Sequence, residues 1–446
     1  MSLAKPKMTI DPNTIGFEIH RLISELYPIC RSITGNGVRQ TLRLINGYIP
    51  LEIQEVPTRT KVFDWSVPKE WNIKDAYVKN SRGEKIVDFQ KSNLHVVGYS
   101  VPVHQKMSLE ELRPHLFTLP EYPEWVPYRN SYYNEAWGFC LSHRQFLELK
   151  DEMYEVCIDS SLEEGYLTYG ECYLKGERED EVLISCHTCH PSLCNDNLSG
   201  VAVAVFLAKH LSLLSSRKYS YRFLFLPTTI GSITWLALND AKLPSIKHGL
   251  VLACLGDPGM PTYKQSRQGN TEIDRAAVHV LKHSGQKYQI IGFSPYGYDE
   301  RQFCSPGINL AMGCFMRTPN GLFPEYHTSA DNVDFVQPSA LSDSFVRCLK
   351  IMEILDNNGT YINQNPKCEP QLGKRGLYQP LGRQHQPTID QLALLWVLNL
   401  SDGKHSLLDI SERSGVSFEQ IRAAADLLLE NGLLKEMANG VREKKV

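Results

Sequence analysis

No stretch of the 446 residues is long and apolar enough to span a bilayer. The best candidate, residues 200–214, is broken by Lys209 and His210 and falls short of roughly 20 apolar residues. Nor is there an excess of one charge. Lys and Arg number 47 against 50 Asp and Glu, a formal net charge of −3, so the chain as a whole is no polycation for nucleic acid or an anionic membrane surface. Residues 1–11 lack an apolar core, so no secretory signal is expected there and the expected location is cytoplasmic. The twelve cysteines are scattered, with several inside expected strands (Cys186, Cys254, Cys314) where a reduced thiol behaves as a small buried hydrophobe. A disulfide framework is not expected.

At a prior of roughly 150 residues per domain the length predicts two to four domains. Residues 12–51 read as helices, with Ile19, Leu22, Ile23 and Leu26 at helical spacing and a second helix over 37–46. From about 59 to 155 the chain turns rich in Trp, Tyr and Pro, and short alternating segments there predict a small β-rich module. From 165 onward strands and helices alternate: strands at 166–175, 182–186, 221–226, 250–255 and 308–315, helices at 199–214, 231–238, 272–283 and 339–355. Such alternation predicts an α/β domain, a mostly parallel sheet with helices on both faces. The expected division is an α/β domain over 12–58 and 156–357, an inserted β-rich module at 59–155, a linker at 358–387 and a separate tail at 388–446. In the tail, Ser417 and Gln420 hold N-cap and capping-box positions after Gly415, the pattern of a winged helix-turn-helix.

The chemistry concentrates at strand ends. Ser185-Cys186-His187-Thr188-Cys189-His190 leads into Asn195-Asp196-Asn197-Leu198-Ser199-Gly200, just ahead of a helix. Function in open α/β sheets collects beyond the carboxyl ends of strands, and imidazole with carboxylate is the ligand chemistry of hydrolytic zinc. Asp257 follows the strand expected at 250–255, and Glu325-Tyr326-His327-Thr328-Ser329-Ala330-Asp331 sets another histidine among acids.

That ordered set resembles the dinuclear zinc aminopeptidases of the M28 type. The whole chain is similar to a bacterial group that joins such a domain to an inserted β-rich module and a winged-helix tail. The resemblance implies that His187, Asp196 and Asp257 hold one zinc ion, with Asp196 bridging toward His327. Two positions depart from the family pattern. Cys189 stands where the family places an aspartate that orients the first histidine, and Thr228-Thr229 stand where it has a general base and a further ligand, both glutamates. One firmly bound Zn²⁺ is therefore expected, with a second position short of ligands unless His190, Glu325 or Glu300 is recruited. Glu325, Glu300 and Thr228 are the candidates at the catalytic position, Arg301 and Tyr326 those for substrate. Restoring the acid by Thr228→Glu is expected to raise amidase activity.

Each residue also has a plainer reading. The histidines can be buried and hydrogen-bonded, Asp257 can cap its own turn before Pro258, and Glu300 and Glu325 can be salt-bridged or solvated. Cys186, Cys189 and Cys194 lack a downstream Cys-x-x-Cys partner for a structural zinc site. The aromatic insert can rim the cleft or form a contact face. In the tail, acids outnumber bases and Arg422 stands among Glu419, Asp426 and Glu430, which favours a protein–protein or oligomer contact over DNA. Three functions compete: a zinc-dependent hydrolase of small peptides or amine-bearing amides, a weakly catalytic or inactive ligand- or partner-binding protein, and a DNA-linked regulator, which the acidic tail disfavours.

Overall fold

The computed structural model describes residues 11–377 and 389–437. Parts of two expectations, the linker at 378–387 and the tail beyond 437, lie outside the described residues. The chain divides into two compact units, residues 1–274 with 286–349, and residues 275–285 with 350–446.

The first unit is organised on an eight-stranded mixed sheet. Its strands are β1 (Glu52–Pro57), β2 (Tyr166–Leu174), β3 (Glu181–His187), β4 (Ser220–Leu226), β5 (Ile246–Leu252), β6 (Thr262–Lys264), β7 (Gln289–Ile291) and β8 (Met312–Met316). They lie in the order β1-β2-β4-β3-β5-β8-β6-β7. The central four, β4-β3-β5-β8, run parallel to one another, whereas β2 and β6 flank them antiparallel. Every residue of β3 and β4 is buried, so both faces of the sheet are covered at its middle. Each fully buried Leu, Ile or Phe there contributes about 1.5–3 kcal/mol of hydrophobic stabilisation. The helices are α1 (Pro12–Leu26), α2 (Asn36–Asn46), α3 (Gly200–Ser212), α4 (Ile230–Leu238), α5 (Glu272–Lys282) and α6 (Pro338–Asn357), the last two contributing residues to both units. α3 is apolar almost all round and buried along most of its length, as its position against β2 to β5 requires.

The aromatic stretch forms a four-stranded antiparallel sheet in the order Lys85–Asp88, Glu70–Lys79, Met153–Glu163, Val103–Ser108. The strand Met153–Glu163 runs past the expected edge at 155, because Glu70 to Lys79 keeps pairing with it.

The second unit holds α7 (Ile389–Leu400), α8 (Leu407–Ser414), α9 (Phe418–Glu430) and a three-stranded antiparallel sheet. The central strand of that sheet is β9 (Thr360–Asn363), flanked by β10 (Asp402–Ser406) and β11 (Leu434–Glu436). Residues expected to be linker thus supply the middle of the wing sheet. Their short run carried no amphipathic signal, and only pairing with strands far along the chain makes them a strand. Gly415 takes φ 71 between α8 and α9, and Ser417 Oγ accepts the Gln420 N–H at 3.3 Å. On α9, Arg422 is engaged by Asp426 at 2.8 Å, by the Asn357 carbonyl and by the Tyr361 hydroxyl. With that cation neutralised within its own unit, the full chain is expected to give no salt-sensitive retardation of duplex DNA in a gel-shift titration. A shift that weakens steeply with salt would mean that another surface binds DNA.

Candidate metal centre

β3 ends in His187, and the loop after it returns Asp196 to the same place before α3 begins. Asp196 is wholly buried, and its two oxygens face different histidines. His187 Nε2 lies 2.8 Å from Oδ1, and His327 Nε2 lies 2.9 Å from Oδ2. His190 Nε2 stands 3.9 Å from Oδ2. His187, His190 and Asp196 each offer a ligand atom within 4.8 Å of the others. No Lys or Arg pairs with Asp196 among the described residues. Burial by itself raises the Asp196 carboxyl pKa, but the surrounding histidines outweigh it and hold the group well below the ordinary carboxylate range. Burial lowers His190 to about 3, with His187, His327 and Arg31 adding to the effect against Asp196, so this imidazole is neutral. A neutral imidazole is the form that binds a metal.

The Asn-x-Ser-Gly turn has a steric and a polar task. A Cβ on Gly200 would collide with the Asn197 side chain and the Leu252 carbonyl, so only glycine lets α3 start against the end of β5. Asn197 Oδ1 accepts the N–H groups of Gly200 at 3.3 Å and Cys254 at 3.2 Å. Its amide donates to the Leu252 carbonyl at 3.0 Å and meets His187 Nδ1 at 3.2 Å. Asp331 steadies the loop by accepting the N–H groups of Asn195 and Asp196. Its own carboxyl is pushed up to about 7, by burial first.

Asp257 does not join this cluster. β5 ends at Leu252, earlier than the periodicity predicts, and Cys254 turns the chain at φ 50. Asp257 then accepts from Gly259 N, from Thr318 N and Oγ1, and from Asn195 Nδ2. It braces the floor of the site as a turn carboxylate. The strand end presents Cys254 instead, whose Sγ lies 2.9 Å from the Tyr298 hydroxyl. Tyr298 in turn stacks on His187 with ring centroids 5.2 Å apart.

The candidate acids also sort differently. Glu300 is fully buried and bound through Oε1 to Lys264 Nζ at 2.7 Å, the salt-bridged arrangement of its plainer reading. Glu325 contributes its backbone carbonyl, which accepts from the Thr328 N–H and hydroxyl. The Thr228 hydroxyl donates to Asp299 Oδ1 at 2.8 Å, and Ser232 donates to the same oxygen at 2.9 Å. Asp299, missed in the sequence because Glu300 beside it drew the attention, is 1 % exposed and forms no ion pair among the described residues. Burial raises its carboxyl pKa, opposed by His187 and the two hydroxyls. Tyr326 stacks on His327 at 4.0 Å, and Arg301 keeps a buried Nε without a hydrogen-bond partner. Arg31 is buried and donates to the His190 and Leu26 carbonyls.

The insert reaches the site. Tyr128 N donates to the His327 carbonyl at 2.8 Å, and Val126 and Ser329 exchange hydrogen bonds, so this strip is zipped to the histidine loop. The Tyr128 ring lies 5.1 Å from both His190 and His327, and its hydroxyl meets that of Tyr132 at 2.8 Å. Of the two readings of the aromatic module, a rim on the cleft is the one this packing supports. Cys186, Cys189 and Cys194 are buried thiols whose pKa burial raises.

Comparison with known proteins follows the same outline. The profile of a family described as a domain of unknown function (DUF4910) matches residues 20–358, and one described as winged helix-turn-helix matches 359–436. A Clostridium acetobutylicum protein, provisionally named as a polysaccharide biosynthesis protein with aminopeptidase-like domain, is 57 % identical over 420 residues, 94 % of this chain and 96 % of that one. A crystal structure from the same organism, provisionally called a peptidase, superposes with TM-score 0.92 at 56 % identity, covering 96 % of this chain and 97 % of the other. The fold also matches BSAP, a zinc aminopeptidase from Bacillus subtilis, with TM-score 0.58 and 11 % identity over 78 % of this chain and 96 % of that one.

Proposed function

The chain belongs to the DUF4910 family, and from that membership and the Asp196 cluster we propose that it is a divalent-cation-dependent hydrolase of peptide or amide bonds. The observation that carries this reading is the wholly buried Asp196 carboxylate, met on both oxygens by imidazole and, among the described residues, on neither by Lys or Arg. A buried carboxylate without a cationic partner favours an ion beside it. The donor set, imidazole nitrogen with one carboxylate, suits zinc and also admits cobalt or manganese. Asp196, His190 and His327 are the residues available to hold the ion, with His187 beside them.

A bound ion would polarise the scissile carbonyl. Tyr128, Tyr132 and Tyr326 would wall the substrate and exclude water. Asp299, oriented by Thr228 and Ser232, is the carboxylate available to take a proton where the strand end carries threonine. Asp299→Asn is therefore expected to lower turnover about 10²- to 10⁴-fold. Thr228→Glu is expected to give no gain, since the new carboxylate would meet Asp299.

The test is metal analysis of the purified full chain with and without chelation. It is joined to amine release across aminoacyl amides, short peptides and amide-bearing saccharides, the last because of the name the relative carries. One equivalent of metal and hydrolysis that chelation abolishes are expected. Protein free of metal and inert across the panel would leave the second reading, a ligand-binding protein, which Thr228 and Thr229 favour.

A further inference from the structure

Resting on the cation reading above, we infer that Asn197 commits His187 to donate a hydrogen bond to Asp196, so that a single ion is carried at the other carboxylate oxygen by Asp196, His190 and His327. The orientation of the Asn197 amide is fixed by its neighbours. Asn197 Oδ1 accepts two backbone N–H groups, from Gly200 and Cys254, which a flipped NH₂ could not do. Nδ2 therefore occupies the other side, where it donates to the Leu252 carbonyl at 3.0 Å and points its second hydrogen at His187 Nδ1, 3.2 Å away. His187 Nδ1 must accept. In a neutral imidazole the proton then sits on Nε2, which donates to Asp196 Oδ1 at 2.8 Å.

A metal-binding histidine shows the reverse arrangement. The ligating nitrogen gives its lone pair, and the other nitrogen donates its N–H to a carboxylate or carbonyl. For His187 to ligate through Nε2, its Nδ1 hydrogen would face the Asn197 NH₂, two donors with no acceptor between them. Closeness alone counts His187 among possible ligands; its hydrogen bonds do not. No such conflict is recorded at Oδ2, where His327 Nε2 and His190 Nε2 stand at 2.9 and 3.9 Å. His187 is then a positioning residue that turns the Asp196 carboxylate, and Asn197 sets its tautomer.

The experiment titrates the metal-stripped full chain with Zn²⁺ alone by calorimetry. Wild type is expected to take one equivalent. His187→Gln, which keeps an N–H toward Asp196, is expected to stay within about 10-fold of wild-type affinity, less than the 10–100-fold typical of losing an outer-shell partner. His327→Ala and His190→Ala are each expected to lose about 100-fold or more. Asn197→Asp, which can accept from Nδ1 and free Nε2, is expected to tighten binding about 10-fold or to add a second equivalent. Should the His187 variant fold poorly, long-range proton–nitrogen NMR of the histidine rings in wild type reads the tautomer directly, and Nε2–H on His187 is expected with and without Zn²⁺. Loss of binding in a folded His187→Gln protein, or an Nδ1–H tautomer in the zinc form, overturns the assignment and leaves the cation reading standing. A wild-type chain that binds no Zn²⁺ overturns both.

Discussion

Asp196→Asn should remove measurable Zn²⁺ binding from the full chain, a larger loss than the roughly 10–100-fold that an outer-shell substitution causes. Among the described residues Asp196 is the carboxylate whose oxygens lie among His187, His190 and His327, and neutral imidazoles alone leave the charge of a divalent ion uncompensated. The amide also presents an NH₂ to one of two nitrogens that the carboxylate satisfied. That nitrogen can accept from the NH₂ only in the ring's other tautomer, so the contact is weakened, at a cost of about 0.5–1.5 kcal/mol. Calorimetric titration together with thermal unfolding of the metal-free variant separates the two effects. A variant that still binds one equivalent at wild-type affinity would remove Asp196 from the centre.

The second large effect falls on stability. Glu300→Gln is expected to destabilise the protein by about 3–5 kcal/mol, because Lys264 would keep its charge in a site with no counter-ion. Among the described residues Lys264 Nζ meets the Glu300 carboxylate at 2.7 Å, the Tyr296 carbonyl at 2.8 Å and, at 5.7 Å, the Phe293 ring, and the Lys264 and Glu300 side chains are almost wholly buried. Replacing both partners, as Lys264→Met with Glu300→Gln, should recover most of the loss, since a neutral pair leaves no charge uncompensated. Chemical denaturation followed by tryptophan fluorescence measures the shift in midpoint. If Glu300→Gln left the midpoint in place and abolished turnover, Glu300 would be the proton acceptor after all and Asp299 would not.

The contrast between Glu300 and Asp299 marks how far the site was legible. Both stand in one polar loop, and a sequence reading prefers the longer, more basic acid. Which one faces Thr228 is set by the turn of the short helix Glu300–Phe303 and by the position of Lys264 on a strand 36 residues before Glu300. Asp257 illustrates the same limit. Its place after an apolar run predicted a strand-end ligand, but β5 stops at Leu252, where its pairing with β8 also ends. Those few residues turn a ligand candidate into a loop brace. His190 was visible only as a reserve, since one strand end offering two histidines does not say which faces inward.

The sequence by itself determined the alternating architecture and the presence of a winged-helix unit, and it pointed to the strand-end residues of which His187 and His327 stand beside Asp196 whereas Asp257 does not. Burial periodicity, glycine geometry and strand-end chemistry are local properties that a linear pattern can carry. Only the tertiary structure decided which acid stands beside Thr228, that the aromatic insert lies against the histidine loop, and that the residues after α6 complete the wing sheet. Those outcomes depend on partners distant in the chain, and a hydrogen-bond orientation such as that of Asn197 exists only once its acceptors and donors have been brought around it.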